Sequence, residues 1–490
     1  LFSRRFFWVF LFLGLAALRA DAHIGNPNVF FEGHAGPYPI RVTIQPPMVV
    51  PGLAQIHVRL QSDDVQKVTV LPVKWNAGTK GAPPADVAKP VPGETNLLTA
   101  QLWLMDSGAY SVFVDVYGSH GRGTAIVPLD SLAYKRLGMS QAMSFGFLAA
   151  GAVVFCLLVS LIGAAARESV VAPGETPDSS RKWKARVAMT ITAVIAVTAL
   201  ALGKWWWDAV DRDYRFSRLY RPESLKAEAM PDGHGGRQLA LYAALNRQRM
   251  ESTPLVPEHG HIMHLFLVRQ PEGDAFAHLH PISGTVSNLA AFTTPLPALP
   301  AGDYQVFADI THESGLTQTL TNTVRLGDEI NTNSAPALAD ADDSVDLSPP
   351  QTGPDLSLPG GFKLAASIPA GLRPDQDITL RFNITAPDGK PATLEPYLGM
   401  YGHLIIESAD GTVFNHLHPL GSISMTAQRA FAQREQASYL ANQPLDQFCS
   451  TAEPVLSFPY AFPKAGNYRL WLQTKIGGRI CTGAYAVTVQ

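Results

Sequence analysis

The sequence predicts a mainly β chain of three sandwich domains joined to two transmembrane helices. Three observations carry this. At 490 residues the chain exceeds what one hydrophobic core supports. Only 16% of its residues are charged, against 40 glycines and 38 prolines, a loop-rich balance. Its outer segments alternate in polarity with period two, and two apolar runs between them are long enough to span a bilayer. The net charge of -3 leaves no basic field for nucleic acid.

The N-terminus reads as a signal peptide over residues 1–22. Arg4 and Arg5 form its positive region, 6–18 its apolar stretch, and Ala20-Asp21-Ala22 its cleavage site. Cleavage there would make His23 the first residue, offering an α-amine and an imidazole to one metal. That is the histidine-brace arrangement, which His34, His57 or His120 could complete. The competing reading makes His23 simply the residue after the cut.

Residues 23–140 read as an N-terminal sandwich, with strands such as Ile40-Arg-Val-Thr-Ile44 and Gln55-Ile-His-Val-Arg-Leu60. The run 144–166 carries no charge and is the first predicted span. The second covers 187–207, where Trp205, Trp206 and Trp207 form an interfacial belt and Lys204 snorkels. The loop 167–186 holds five Lys/Arg, so the positive-inside rule puts it in the cytoplasm and both flanking regions in the periplasm. No acidic or histidine residue interrupts either apolar run, which argues against a transporter or proton relay.

Two further sandwiches are expected at 210–327 and 359–490. Between them, 328–358 is acidic and contains Pro349-Pro350, and reads as a solvated linker. One pattern recurs three times: Gly108-Ala-Tyr110-Ser-Val-Phe113, Gly302-Asp-Tyr304-Gln-Val-Phe307 and Gly466-Asn-Tyr468-Arg-Leu-Trp471. A Tyr opening a late strand suggests the tyrosine corner, and so Ig-like or cupredoxin-like sandwiches.

The last two sandwiches share a longer string. One copy runs from His264 to His278-Leu-His280-Pro281, the other from His403 to His416-Leu-His418-Pro419. Each reads as a β-hairpin. Asp410-Gly411 signals a type I′ turn, and Pro271-Glu272-Gly273 a three-residue loop with a glycine bulge. Counting back from these tips pairs His403 with His418 and His264 with His280. His416 and His278 then share the same face by period two. Opposed Cβ atoms lie about 4.5–5.5 Å apart, close enough for three imidazoles to meet at one ion. The other face, with Leu404, Ile406 and Leu417 or Leu265, Leu267 and Leu279, is the core side. The histidines should therefore point away from the sandwich centre.

His259, His261 and Met263 lie beside the first set, and Met400 and Met425 beside the second. Imidazole with thioether favours copper, while imidazole alone also suits zinc. The expected metal ligands are His264, His278, His280, His403, His416, His418, His261, Met400 and His23, with copper the chosen ion. Cys481 has no His and Met arranged for a blue-copper centre, and could instead pair with Cys449. Cys156 lies within the first span and reads as a packing residue.

The first segment, through its export signal, Pro39-Ile-Arg-Val-Thr-Ile44 and the Gly-x-Tyr hairpin, resembles the YtkA-like/FixH-like periplasmic domain family. The Gly399-Met-Tyr-Gly-His403 and His416-Leu-His-Pro419 pair resembles modules of uncharacterised bacterial membrane proteins with paired HLHP motifs. These resemblances imply a bacterial cell-envelope setting. The resulting expectation is an inner-membrane-anchored periplasmic protein that binds copper for homeostasis or delivery, with the lipid bilayer and a metal-handling protein as partners. Two other readings stand beside it. One is an envelope interaction protein whose histidines only pack; the other is a copper oxidase or monooxygenase built on His23. No hydrolase triad or phosphate loop is present in the sequence.

Overall fold

The computed structural model describes residues 26–490 except 137, 173, 221–222, 233–235, 245–252, 287–288, 328–337 and 436–454. The expected signal peptide, the expected ligand His23 and Cys449 fall outside the described residues. Within them the chain is mainly β, in antiparallel sheets stacked as sandwiches, with two long apolar helices.

The helices belong to a separate compact unit, Ala133–Tyr220. Gln141–Glu168 starts where Ser140 Oγ accepts the Met143 N–H at 3.2 Å. Ser179–Asp213 starts where Asp178 Oδ1 accepts the Arg181 N–H at 2.7 Å. Each outruns its apolar stretch at both ends, and each is long and apolar enough to cross a membrane. Gly163 and Ala185 are their buried residues, small enough to let the two helices approach closely.

In the N-terminal sandwich a five-stranded sheet stacks on a four-stranded one. Tyr38–Gln45 buries every second residue, and Ile40, Val42 and Ile44 meet Val112, Val114 and Val116 in the core. This is the outcome period-two alternation predicts.

The two histidine-bearing modules are built alike. In the first, a four-stranded sheet faces a six-stranded one in which His264–Gln270 lies between Phe276–Leu279 and Gly302–His312. In the second, His403–Ser408 lies between Phe414–Leu417 and Gly466–Ile476. The repeated tyrosines close the corners: Tyr304 Oη donates to Pro300 O at 2.7 Å and Tyr468 Oη to Lys464 O at 2.9 Å.

The acidic segment differs from a free linker. Its Ser344–Asp346 stretch adds a strand to the first module beside Phe276–Leu279, and Asp355–Leu358 joins the second module. The composition that suggests a solvated tether conceals two short strands and a buried carboxylate, Asp343.

The modules meet through the outer faces of their hairpin sheets. Phe276 stacks on Trp471 at 4.9 Å, and Phe414 stacks on Phe307 at 4.1 Å. Phe276 is the repeat equivalent of Phe414, and Phe307 that of Trp471, so the two contacts are one contact made twice about a pseudo-two-fold. Phe266, Val268, Ile405 and Ala484 complete this apolar core between the modules. A buried ion pair lies beside it. Glu407 accepts from Arg469 at 3.1 Å and from Gln270 at 2.8 Å, and burial still pushes its carboxyl up to about 7.

The N-terminal sandwich grips the segment that follows His418. Glu32 N–H donates to Leu420 O at 2.8 Å and Ser422 N–H to Phe30 O at 3.0 Å. Between them Gly421 takes φ +116°, and a Cβ there would lie 2.0 Å from Phe30 O. Only glycine fits this crossing.

Candidate metal centre

The hairpin registers are those counted from their tips. Leu404 pairs with Leu417 and Ile405 with His416; Leu265 pairs with Leu279 and Phe266 with His278. One step further along each strand places His403 opposite His418 and His264 opposite His280. The second tip departs from type I′. Gly411 N–H donates to Ser408 O at 2.8 Å, and only Gly411 of the Asp410-Gly411 pair takes positive φ. Asp410 instead uses its side chain, accepting from Ser408 Oγ and Thr412 N–H.

The leucine faces fill the two module cores as expected. The histidine faces do point outward from each sandwich, but they are not solvated. The pseudo-two-fold presses one against the other, and His264, His278, His280, His403 and His418 are all buried. Eight of the fourteen histidines thus gather at one boundary: His259, His261, His264, His278, His280, His403, His416 and His418.

The grouping differs from two separate hairpin sites. His264, His278 and His280 form one set with ligand atoms within 4.8 Å of one another. The second set is His259, His403 and His418, drawn from both modules. His416 stands beside it, its Nε2 3.0 Å from His403 Nδ1. A third set, His261, His280 and Asp340, reuses His280.

Outer hydrogen bonds fix which nitrogens face inward. His264 Nε2 lies 3.0 Å from Glu258 O, His278 Nδ1 2.9 Å from Gln473 Oε1, and His280 Nδ1 2.9 Å from Asp343 Oδ1. These oxygens accept, so each of those nitrogens carries the proton and the other keeps its lone pair. The same holds in the second module. His403 Nε2 lies 3.0 Å from Tyr397 O and His418 Nδ1 3.3 Å from Ile423 O, whereas Asp309 Oδ2, 3.6 Å from His416 Nδ1, is beyond hydrogen-bond reach.

The consequence is a set of lone pairs aimed at one another. His264 Nδ1 faces His278 Nε2 at 3.1 Å with no proton between them, and His403 Nδ1, likewise unprotonated, lies 3.0 Å from His416 Nε2. His280 Nε2 and His259 Nδ1 are buried without a hydrogen-bond partner. Burial first, then mutual repulsion, holds His259, His278 and His416 well below the ordinary imidazole range. His264 and His403 are lowered likewise, and burial brings His418 to about 4. Neutral imidazoles with unprotonated nitrogens converging are ligands prepared for a cation.

Several contributors carried no pattern in the sequence. Asp309 and Gln473 occupy equivalent positions in the repeat, and each serves the opposite module: Gln473 orients His278 and Asp309 faces His416. Burial pushes Asp309 up to about 7. Asp343 comes from the acidic segment. Glu258 caps the helix Met425–Arg434 through Ser424 Oγ and the Met425 N–H at 2.8 Å. The repeat itself, extended backwards, would have exposed His259: residues 258–264 match 397–403, with bridges Glu258 to His261 and Tyr397 to Met400. Leu398 therefore stands where the first copy has His259, both at φ 51°.

The expected thioethers play other parts. Met263 packs in the first module's core, Met425 begins a buried helix face, and Met400 is buried in the tight turn with Tyr397. Cys481 is buried in the second module's core. Of the brace candidates, His34 and His120 are exposed and His57 is half-buried.

Residues 224–327 and 360–490, the two histidine modules, match a family model described as a domain of unknown function (DUF8832). No curated protein sequence matches the chain. Among solved structures, a tetra-tandem repeat from the extending region of a large adhesion protein is 8% identical at TM-score 0.16, with 91% of this chain and 72% of that one covered. Dimeric latent PorU from Porphyromonas gingivalis is 8% identical at TM-score 0.15, over 95% of this chain and 34% of that one. A putative membrane anchored protein from Corynebacterium diphtheriae is 10% identical at TM-score 0.14, covering 94% of each. All three scores are low, and the site is read from its own geometry.

Proposed function

We propose that this chain is a membrane-anchored cell-envelope protein that binds transition-metal ions, copper foremost, in the buried boundary between its two histidine modules. One observation carries the reading: outer acceptors fix the imidazole protons so that unprotonated nitrogens of His264 and His278 face each other at 3.1 Å, and leave His403 Nδ1 and His418 Nε2 without protons. Histidines serving only as packing would pair a donor with an acceptor, because opposed lone pairs repel. A cation removes that repulsion, and Asp343 supplies negative charge directly behind His280.

Copper is favoured because an all-imidazole set suits it and because it heads the affinity order of divalent first-row metals. Zinc is the competing occupant. The three sandwiches are read as Ig-like or cupredoxin-like modules on the periplasmic side of a bacterial inner membrane, held by helices 141–168 and 179–213. In that place the centre would store copper or pass it to a metal-handling protein. The buried site favours binding over turnover, since neither trio opens directly to solvent.

The test is metal uptake by the full chain in detergent after chelator stripping, with copper and zinc offered together. One copper ion per trio is expected, with His264→Ala and His403→Ala each losing one. A chain that takes up neither metal refutes the proposal.

A further inference from the structure

We infer that His261 and Asp340 form a loading site from which an ion enters the first buried trio by way of His280. This rests on the metal-binding reading above and adds the route. His280 belongs to both sets: with His264 and His278 inside, and with His261 and Asp340 outside. The two sets differ in exposure. His280 has a side-chain exposure of 0%, whereas His261 keeps 18%. Asp340 is also partly exposed.

The geometry suits a transfer. His261 stacks on His280 with ring centroids 3.9 Å apart and planes 27° from parallel. Asp342 Oδ2 lies 3.7 Å from His261 Nε2, so the outer set carries a second carboxylate. Inward, His280 Nε2 is buried and unpartnered, while its Nδ1 is tied to Asp343. An ion arriving from water meets carboxylates first, which attract it and replace its hydration shell. It then exchanges ligands. His280 is retained, Asp340 and His261 let go, and His264 Nδ1 and His278 Nε2 take their places. No electron moves and no covalent bond is made, and the released carboxylate returns to water.

Among the described residues the second module has no equivalent of this gate. Its equivalent of His261 is Met400, which is 1% exposed. The first copy is therefore the side on which ions arrive.

Loading kinetics of the full chain in detergent test the route, with copper ions as the probe. Apo protein is mixed with copper, the reaction is quenched with a chelator at set times, and occupancy is read by metal analysis. The double variant His261→Ala with Asp340→Asn should load about tenfold or more slowly, with the final occupancy unchanged. His280→Ala should lose the first trio's ion altogether. A double variant loading within about twofold of the parent overturns the route and leaves metal binding standing. Final occupancy falling together with rate also overturns it, because the pair would then be ordinary ligands. A parent chain that takes up no copper removes both proposals.

Discussion

His259 Nε2 lies 3.1 Å from His418 Nε2, although the two belong to different modules, 159 residues apart. The second trio thus exists only while the modules are docked. His259→Leu reproduces what the repeat already holds at Leu398, so the fold should accept it. The variant is expected to keep the first trio's ion and lose the second, as metal analysis would show. Retention of both ions would mean that His416 replaces His259.

Asp343 acts on the ion only through His280. Asp343→Asn keeps a hydrogen-bond acceptor and removes the charge. Affinity at the first trio should fall about 10–100-fold, with the second trio unaffected. Competition against a chelator of known affinity resolves the two steps.

Trp471 contributes to docking and belongs to neither trio. Its stack on Phe276 fills the apolar core between the modules. Trp471→Ala should cost about 3–5 kcal/mol in chemical denaturation. It should also weaken the cross-module trio more than the first, because only the former draws its ligands from both modules.

Asp130 offers a pH test away from the metal centre. Its Oδ2 accepts from Thr317 N–H and Oγ1 at 3.1 and 2.8 Å, tying the N-terminal sandwich to the first module, while Oδ1 is buried and unpartnered. Burial pushes this carboxyl up to about 7. The folded state then binds a proton that the unfolded state has released. That stability is present in full below the ordinary carboxylate range and is lost as pH rises through about 7. The loss is at most about 1.4 kcal/mol per pH unit across that window. Asp130→Asn does not titrate, so its melting temperature should exceed the parent's more at pH 8 than at pH 5. An equal gap at both pH values would refute the assignment.

How much of this was legible in the sequence follows from the range of the interactions. Strand alternation and turn glycines are local, and they yield the hairpins, their register and the leucine faces. His416 and His418 share a face for the same reason. Docking is not local. Nothing near His403 announces that His259 will meet it, because that contact depends on Phe276, Phe307, Phe414 and Trp471 closing a pseudo-two-fold. Asp343 was hidden differently: an acidic, proline-containing stretch looks solvated, and this buried carboxylate has no periodic neighbours.

The stretch bearing Asp340 and Asp343 falls between the two matched segments, outside the repeat. The duplicated modules provide the imidazoles, but the connection provides both the landing carboxylate and the anchor of His280. Substitution in that short strap could therefore retune how fast an ion is captured and how firmly it is kept, leaving every imidazole in place.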